Sequence, residues 1–135
     1  VGEALRQAHQ LMRRRGMLVL IGDLLDEPGP LFEGLGRFRN RGFDVVVFQV
    51  LHPQELSLAG LGNTRWRLVD SEKQRSVTTD VAAVDIEYEK AIGRHLAGVC
   101  RGLSARGIDY AMARADRPAG AVLREFLSGA SRWRQ

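Results

Sequence analysis

One short pattern occurs three times in this chain and constrains its fold more than any other feature. An Arg-Gly pair stands at 15–16, at 41–42 and at 106–107, and each pair precedes a short apolar run. A glycine fits the left-handed position that ends a helix, and an arginine in the last turn suits the negative end of the helix dipole. The apolar runs are short and partly β-branched, which is typical of strands. Each copy therefore predicts a helix, a cap and a strand.

The three apolar runs predict adjacent parallel strands at 17–22, 43–50 and 108–114. Strands that alternate with helices are joined by right-handed crossovers, and continuous apolar strands are buried on both faces. We therefore expect an α/β, Rossmann-like fold, in which helices cover both faces of a parallel sheet. Between the second strand and a long helix, residues 65–79 predict a small antiparallel β-hairpin that turns at Glu72-Lys73.

Length and composition limit the class of protein. The 135 residues suffice for a single domain, 1–135, and the absence of a starting methionine leads us to expect a partial domain of a longer protein. No apolar run approaches the length of a membrane span, so we expect no membrane contact by this segment. The single cysteine, Cys100, favours the cytoplasm, although the parent protein could be membrane-anchored upstream. The 20 basic and 16 acidic side chains are mixed along the chain, which is typical of a solvated surface rather than a nucleic-acid-binding stripe.

Polar side chains follow the predicted strands at the edge of the sheet where ligands bind in open α/β folds. The candidate residues are Asp23, Asp26, Glu27, His52, Glu55 and Asp116. Asp23 is the strongest candidate for a metal ligand, because an aspartate directly after a buried strand can offer oxygen ligands to Mg²⁺. A turn or a helix cap is the alternative interpretation of Asp23.

The other candidates have simpler interpretations. Asp26 and Glu27 precede prolines, which favours capping or solvation, and Asp116 is predicted to be the N-cap of the last helix. His52 has no second histidine at ligand spacing, so we expect it to make a loop hydrogen bond. Cys100 lies on the apolar stripe of the long helix and is interpreted as a packed thiol.

Five stretches of the chain together resemble a known family. They are residues 18–26, 41–55, 106–110, 115–118 and 123–127. In this order and spacing they resemble the C-terminal part of the von Willebrand factor A-like domain of an uncharacterised bacterial family associated with MoxR-type AAA ATPases. The resemblance implies a von Willebrand factor A-like fold, of which this chain is the later portion.

The resemblance also implies a metal-ion-dependent adhesion site. Such a site uses a DxSxS loop, a threonine in a second loop and an aspartate in a third. Asp23 matches the third position, whereas this sequence contains no DxSxS loop and offers no assignable threonine. We therefore expect the other ligands upstream of this chain. Mg²⁺ or Mn²⁺ is expected in the full-length protein, and none in this chain alone.

The function implied by the resemblance is non-enzymatic protein binding. A MoxR-type AAA ATPase or its client is the expected partner, in protein assembly or maturation. Two alternatives stay open: a Mg²⁺-dependent phosphoryl-transfer enzyme that uses Asp23 with Asp26 or Asp116, and a basic nucleic-acid-binding domain. The sequence has no glycine-rich phosphate loop and no aromatic-basic platform for either. A separate expectation concerns assembly. We expect the chain to self-associate, because the strand at 17–21 is left with an open apolar edge.

Overall fold

A computed structural model describes residues 1–57, 65–69 and 76–129, and only the backbone of 65–69 and 76–84. The helices in this part of the chain are α1 (Gly2–Leu11), α2 (Pro28–Asn40), α3 (Pro53–Leu56), α4 (Val81–Ser104) and α5 (Ala119–Leu127). The strands are β1 (Met17–Gly22), β2 (Asp44–Leu51), β3 (Arg65–Val69), β4 (Ser76–Asp80) and β5 (Asp109–Arg114).

A three-stranded parallel sheet in the order β1-β2-β5 organises the fold. Val19 of β1 aligns with Val46 of β2, and Phe48 of β2 aligns with Ala111 of β5. The predicted parallel arrangement of the three strands is therefore confirmed, as is the α/β class. The hairpin is confirmed as well, since β3 and β4 pair antiparallel. The turn predicted at Glu72-Lys73 lies outside the described residues.

The larger hydrophobic core lies on the face of the sheet that α1, α2 and α4 cover. Successive side chains of a strand point to opposite faces, so Val45 and Val47 of β2 point to this side together. They pack in one cluster with buried residues from all three helices, which include Leu5, Leu31, Leu35, Phe38, Val99 and Leu103. The three helices thus share one hydrophobic core with this face of the sheet.

The second core is smaller, because α5 alone among the described helices packs on the opposite face. Val46 and Phe48 of β2 form a cluster with two alanines of β5 and with Val122 of α5. The ring of Phe126 meets that of Phe48 edge-on, with centroids 5.0 Å apart. The prediction of helices on both faces is thus confirmed, although this face is covered by one helix alone in the described part of the chain.

The Arg-Gly pairs at 41–42 and 106–107 end helices in the way the sequence predicts. Gly42 and Gly107 have positive φ values of 81° and 64°. Around the first, the Phe43 amide donates to the Phe38 carbonyl (3.1 Å) and the Gly42 amide to the Arg39 carbonyl (2.9 Å). This pair of hydrogen bonds is a Schellman motif, which satisfies carbonyls that the last helical turn would leave unpaired. The same pattern recurs around Gly107.

The first Arg-Gly pair behaves differently, and the predicted cap at Gly16 is wrong. Helix α1 ends at Leu11, and Met12 already has an extended backbone with ψ of 100°. Met12 packs against the larger core, whereas the arginines that follow it are exposed. Helix α1 therefore ends at the point where Met12 turns into the core, and Arg15 belongs to the connection to β1.

The contact between α1 and α2 yields a stability prediction. A Cβ atom added at Gly34 would lie 2.9 Å from Cβ of Leu5, whereas one added at Gly36 would meet nothing within 4 Å. Gly34→Ala should lower the free energy of unfolding by about 1 kcal/mol, because overpacking outweighs the gain in helix propensity. Gly36→Ala, the matched control in the same helix, should raise it by about 0.5–1 kcal/mol. Urea unfolding measures both, and shifts of the same sign would contradict this packing.

Candidate functional site

The carboxyl ends of β1, β2 and β5 meet at one edge of the sheet, and Asp23 is the first residue after β1. Its side chain is exposed, and its carboxylate makes no hydrogen bond or ion pair with any described residue. The predicted position of Asp23 at a strand end is therefore correct. Among the residues that the structure describes, none occupies its carboxylate oxygens.

The backbone on either side of this carboxylate is held by two buried or half-buried side chains. Gln49 is fully buried in β2, and its Nε2 donates to the carbonyl of Asp23 at 2.6 Å. His95 of α4 lies with its Nε2 2.8 Å from the carbonyl of Leu24. A carbonyl oxygen can only accept, so this hydrogen bond requires the proton of the imidazole on Nε2. The backbone of the Asp23-Leu24 turn is thus held by one hydrogen bond from the sheet and one from helix α4.

Leu24 adopts an unusual backbone conformation in this turn. Its φ is 52°, and it is the one non-glycine residue with positive φ in the described ranges. A left-handed leucine costs roughly 1–2 kcal/mol relative to the right-handed form. Burial of the side chain, which is only 3% exposed, and the bond from His95 offset this cost. Strain of this kind persists where the surroundings over-determine a conformation, as they do here.

The hydrogen bonds behind Asp23 continue into β5. The hydroxyl of Tyr110 donates to Oε1 of Gln49 at 2.7 Å, so both ends of the Gln49 amide have a partner. Burial raises the pKa of Tyr110 from 10.0 to about 12, because it disfavours the phenolate. A second, smaller contribution comes from the neighbouring Cys100. The three strands are therefore tied together by side chains just below the Asp23 turn.

The residues after β2 stabilise a loop. His52 is the N-cap of α3: its Nδ1 accepts from the Gln54 amide at 3.3 Å, and its own amide donates to Glu55 at 2.6 Å. The Tyr88 hydroxyl donates to the Glu55 carbonyl at 2.8 Å, and its pKa is raised by burial and then by the Glu55 charge. The expected loop hydrogen bond of His52 is confirmed, and Glu55 completes the same cap.

The residues after β5 form ion pairs. Asp116 accepts two hydrogen bonds from Arg114, at 3.0 and 2.6 Å, and these bonds lower the pKa of its carboxyl. The prediction that Asp116 caps the last helix is wrong. Helix α5 begins at Ala119 with Pro118 as its N-cap, so Asp116 lies too far upstream and pairs with the guanidinium at the end of β5 instead.

Asp26, Glu27 and Cys100 contribute nothing further to the site. Asp26 and Glu27 are exposed, and Glu27 occupies the N-cap position of α2 without a side-chain hydrogen bond to the helix. Cys100 is a half-buried free thiol in α4. In the described residues, no group of three or more histidine, cysteine, aspartate or glutamate side chains is placed to hold a metal ion. Asp23 and Asp116 follow strands that are separated by β2, and the register places Asp116 three residues beyond the position in β5 that is level with Asp23.

Sequence reasoning missed Gln49, His95 and Tyr110, which hold the Asp23 turn. Gln49 carried a usable signal, because it is the one polar residue inside the apolar run of β2. A buried amide must find hydrogen-bond partners, so a lone glutamine in a central strand points to a polar contact nearby. His95 lies among half-buried residues of α4 and gave no comparable signal.

Comparison with known families matches residues 1–98 to DUF58, a family of proteins of unknown function. The chain belongs to this family. The match extends from α1 into α4 and thus includes Asp23, Gln49 and His95, whereas β5 and α5 of this DUF58 chain lie beyond it. No curated protein and no solved structure matches the chain. Within the described ranges, no helix is both long and apolar enough to cross a membrane.

The burial of the Tyr110 hydroxyl predicts a pH dependence of stability. Unfolded Tyr110 ionises near 10.0, whereas the folded protein keeps the proton to about 12. Above pH 10 the unfolded state therefore binds fewer protons than the folded state, so the free energy of unfolding falls as the pH rises toward 12. Tyr110→Phe should reduce this fall. Urea unfolding of both proteins at pH 8 and at pH 11 measures it, and an equal fall in the two would contradict the burial of the hydroxyl.

Proposed function

We propose that this DUF58 chain is part of a non-enzymatic, von Willebrand factor A-like protein-binding domain, in which Asp23 is a ligand of a metal-dependent docking site. The observation that carries the proposal is the contrast within one turn. The backbone of Asp23 and Leu24 is fixed by Gln49 and His95, whereas the carboxylate itself is exposed and unengaged by described residues.

Such a contrast suits a metal ligand better than a capping residue. A capping carboxylate accepts hydrogen bonds from nearby backbone amides, and Asp23 accepts none from the described chain. A ligand, by contrast, works best when its main chain is held rigidly by surrounding hydrogen bonds and its oxygens stay available. The strained Leu24 next to it adds to this support, because strained backbone is concentrated at functional sites.

The described residues alone do not make a complete site. Mg²⁺ needs near-octahedral oxygen coordination and loses its hydration water reluctantly, which one carboxylate cannot offset. We propose that a DxSxS loop and a threonine from other parts of the parent protein supply the remaining ligands, as the resemblance implies. On this proposal the chain by itself binds Mg²⁺ or Mn²⁺ weakly or not at all.

The proposed partner completes the site with an acidic group, so that recognition and metal binding are coupled. By resemblance, this partner is a MoxR-type AAA ATPase or its client, and the site works in protein assembly or maturation in the cytoplasm. A phosphoryl-transfer enzyme is the weaker candidate. It would need a second carboxylate close to Asp23, and Asp116 is both engaged by Arg114 and two strands away.

The test is calorimetry on a DUF58 protein that contains this segment together with a DxSxS loop. Asp23→Ala should weaken Mg²⁺ binding and Mg²⁺-dependent partner binding by at least about tenfold, because a charged ligand is lost. Its free energy of unfolding should change by less than about 0.5 kcal/mol, since the side chain supports no packing.

Asp26→Ala is the matched control, because Asp26 is an equally exposed aspartate three residues further along the chain. It should leave both affinities unchanged. Equal affinities for wild type and Asp23→Ala would show that Asp23 is a turn residue and would reject the proposal.

A further inference from the structure

The amino ends of the three parallel strands meet at the edge of the sheet opposite Asp23. Met17 at the start of β1 is level with Asp44 of β2, and Asp109 at the start of β5 is level with Val46. Each of these strands follows a helix that packs on the same face of the sheet, so the ends of α1, α2 and α4 lie at this edge as well. The segments 10–16, 37–44 and 101–109 therefore form one surface, the basic edge.

The positive charge of the chain is concentrated on the basic edge, although basic and acidic side chains alternate along the sequence. The three segments contain eight of the 20 basic side chains, all of them arginines, but only two of the 16 acidic ones. Seven of these arginines are exposed, and Arg39 is half-buried. The contact of Arg39 with Asp44, at 3.9 Å, is the one ion pair that any of the eight forms with a described residue. The formal charge of this edge is therefore higher than the +4 of the whole chain.

The three helix ends do not account for this charge. The carboxyl end of a helix is equivalent to about half a negative elementary charge, so the three ends together offset only about 1.5 charges. The caps at Gly42 and Gly107 also satisfy part of the free carbonyls through main-chain hydrogen bonds. Most of the positive charge at this edge therefore has no counterpart in the described part of the chain.

Two arginines of the basic edge are held in place by main-chain oxygens. Nη1 of Arg39 donates to the Phe43 carbonyl at 3.0 Å, and Nη1 of Arg41 donates to the His9 carbonyl at 2.8 Å. A guanidinium has five N–H donors in a rigid plane, so each of these bonds fixes the group and leaves donors for a second acceptor. Less side-chain entropy is then lost when a carboxylate binds to the remaining donors.

Arg15 completes a group of three guanidiniums around the turn at Gly42. Because Gly42 has no side chain, that of Arg15 rests against it, with Cζ 3.4 Å from the position that a Cβ would take. Arg41 directly precedes this glycine, and the carbonyl that Arg39 contacts belongs to the residue that follows it. Gly42 leads into β2, so the contact places Arg15 between the starts of β1 and β2 rather than on the outer side of β1.

We propose that the basic edge is a docking surface for an acidic segment of a second protein, whose carboxylates pair with Arg15, Arg39 and Arg41. A guanidinium and a carboxylate match in shape and form two parallel hydrogen bonds, which makes such pairs stronger and more specific than contacts with a point charge. The surface lies at the opposite end of the strands from Asp23. Its role is therefore separate from the metal-dependent function proposed for that residue.

Separate carboxylates fit this surface better than a nucleic acid or an anionic membrane. Asp44 and Asp109 are exposed among the arginines, and a continuous row of phosphates or lipid headgroups would be brought against both. A peptide can instead place single carboxylates on the guanidiniums. The aromatic side chains of the three segments, Phe38 and Phe43, are buried, so no described ring at this edge is available to stack on bases.

Fluorescence anisotropy with a labelled glutamate decamer tests the proposal, and a chelator in the buffer keeps Asp23 out of the measurement. The 135-residue chain should bind the decamer, and added salt should weaken binding because it screens exposed charges. The double variant Arg15→Gln/Arg41→Gln should raise the dissociation constant by about tenfold, since two charge-assisted contacts are lost. Circular dichroism checks that the variants keep the fold.

Arg94→Gln/Arg124→Gln is the matched control, because it removes the same charge from two arginines elsewhere, on α4 and α5. Both are exposed, and neither forms an ion pair with a described residue. This variant should leave the dissociation constant within about twofold of wild type, because weak long-range attraction is all that it removes.

Three results would overturn the proposal. The first is a wild-type chain that does not bind the glutamate decamer at low salt, and the second is an equal loss of affinity in the two double variants. The third is displacement of the labelled decamer by a thymidine decamer or by phosphatidylserine vesicles at a lower concentration of negative charge than unlabelled glutamate decamer requires, which would assign the edge to a nucleic acid or a membrane. Because metal is chelated throughout, none of these results depends on whether Asp23 binds a cation.

Discussion

The structure depends on the burial of β2, which is paired on both sides and covered on both faces. Its alternating residues divide the protein into two layers: Val45 and Val47 face α1, α2 and α4, and Val46 and Phe48 face α5. Apart from the exposed Asp44 at its start, this strand has little contact with solvent, so its neighbours must supply its main-chain partners and apolar contacts. The Schellman motif at Gly42 ends α2, and β2 begins two residues after this glycine, so the chain passes directly from the helix into this strand. The unequal covering of the two faces then leaves β1 partly bare.

Much of this architecture could be predicted from short-range signals. The apolar runs and the glycines at 42 and 107 predicted the strands and helix ends, because a left-handed cap and a doubly buried strand have direct signatures in sequence. The same signals failed at Gly16 and at Asp116. Helix α1 ends before Gly16, where Met12 packs against the core, and Asp116 pairs with Arg114 while α5 begins only after Pro118. Both are contacts that an Arg-Gly or Asp-Arg-Pro pattern does not encode.

The candidate site likewise contains one residue that was predictable from the sequence and others that were not. Asp23 was predictable because a polar residue directly after a buried strand is placed at the ligand-binding edge by topology alone. The side chains that hold it were not, since the Gln49 and His95 bonds join residues 26 and 71 positions apart. The assignment of the chain to the DUF58 family adds no function to this picture. The function proposed for the site rests on the contrast between a fixed turn and an exposed carboxylate that no described residue engages.

The hydrogen bonds behind the turn have a direction, and this restricts which residues the position of Gln49 can accept. The Tyr110 hydroxyl donates to one end of the amide, and the other end donates to the Asp23 carbonyl. A side chain there must therefore accept on one side and donate on the other. An ionised glutamate would set a carboxylate oxygen against the Asp23 carbonyl oxygen, and both are acceptors. A glutamate could therefore fit only in its protonated form, which means a raised pKa. Divergence within the family at this buried position is thus expected to be coupled to change at the tyrosine or in the turn itself.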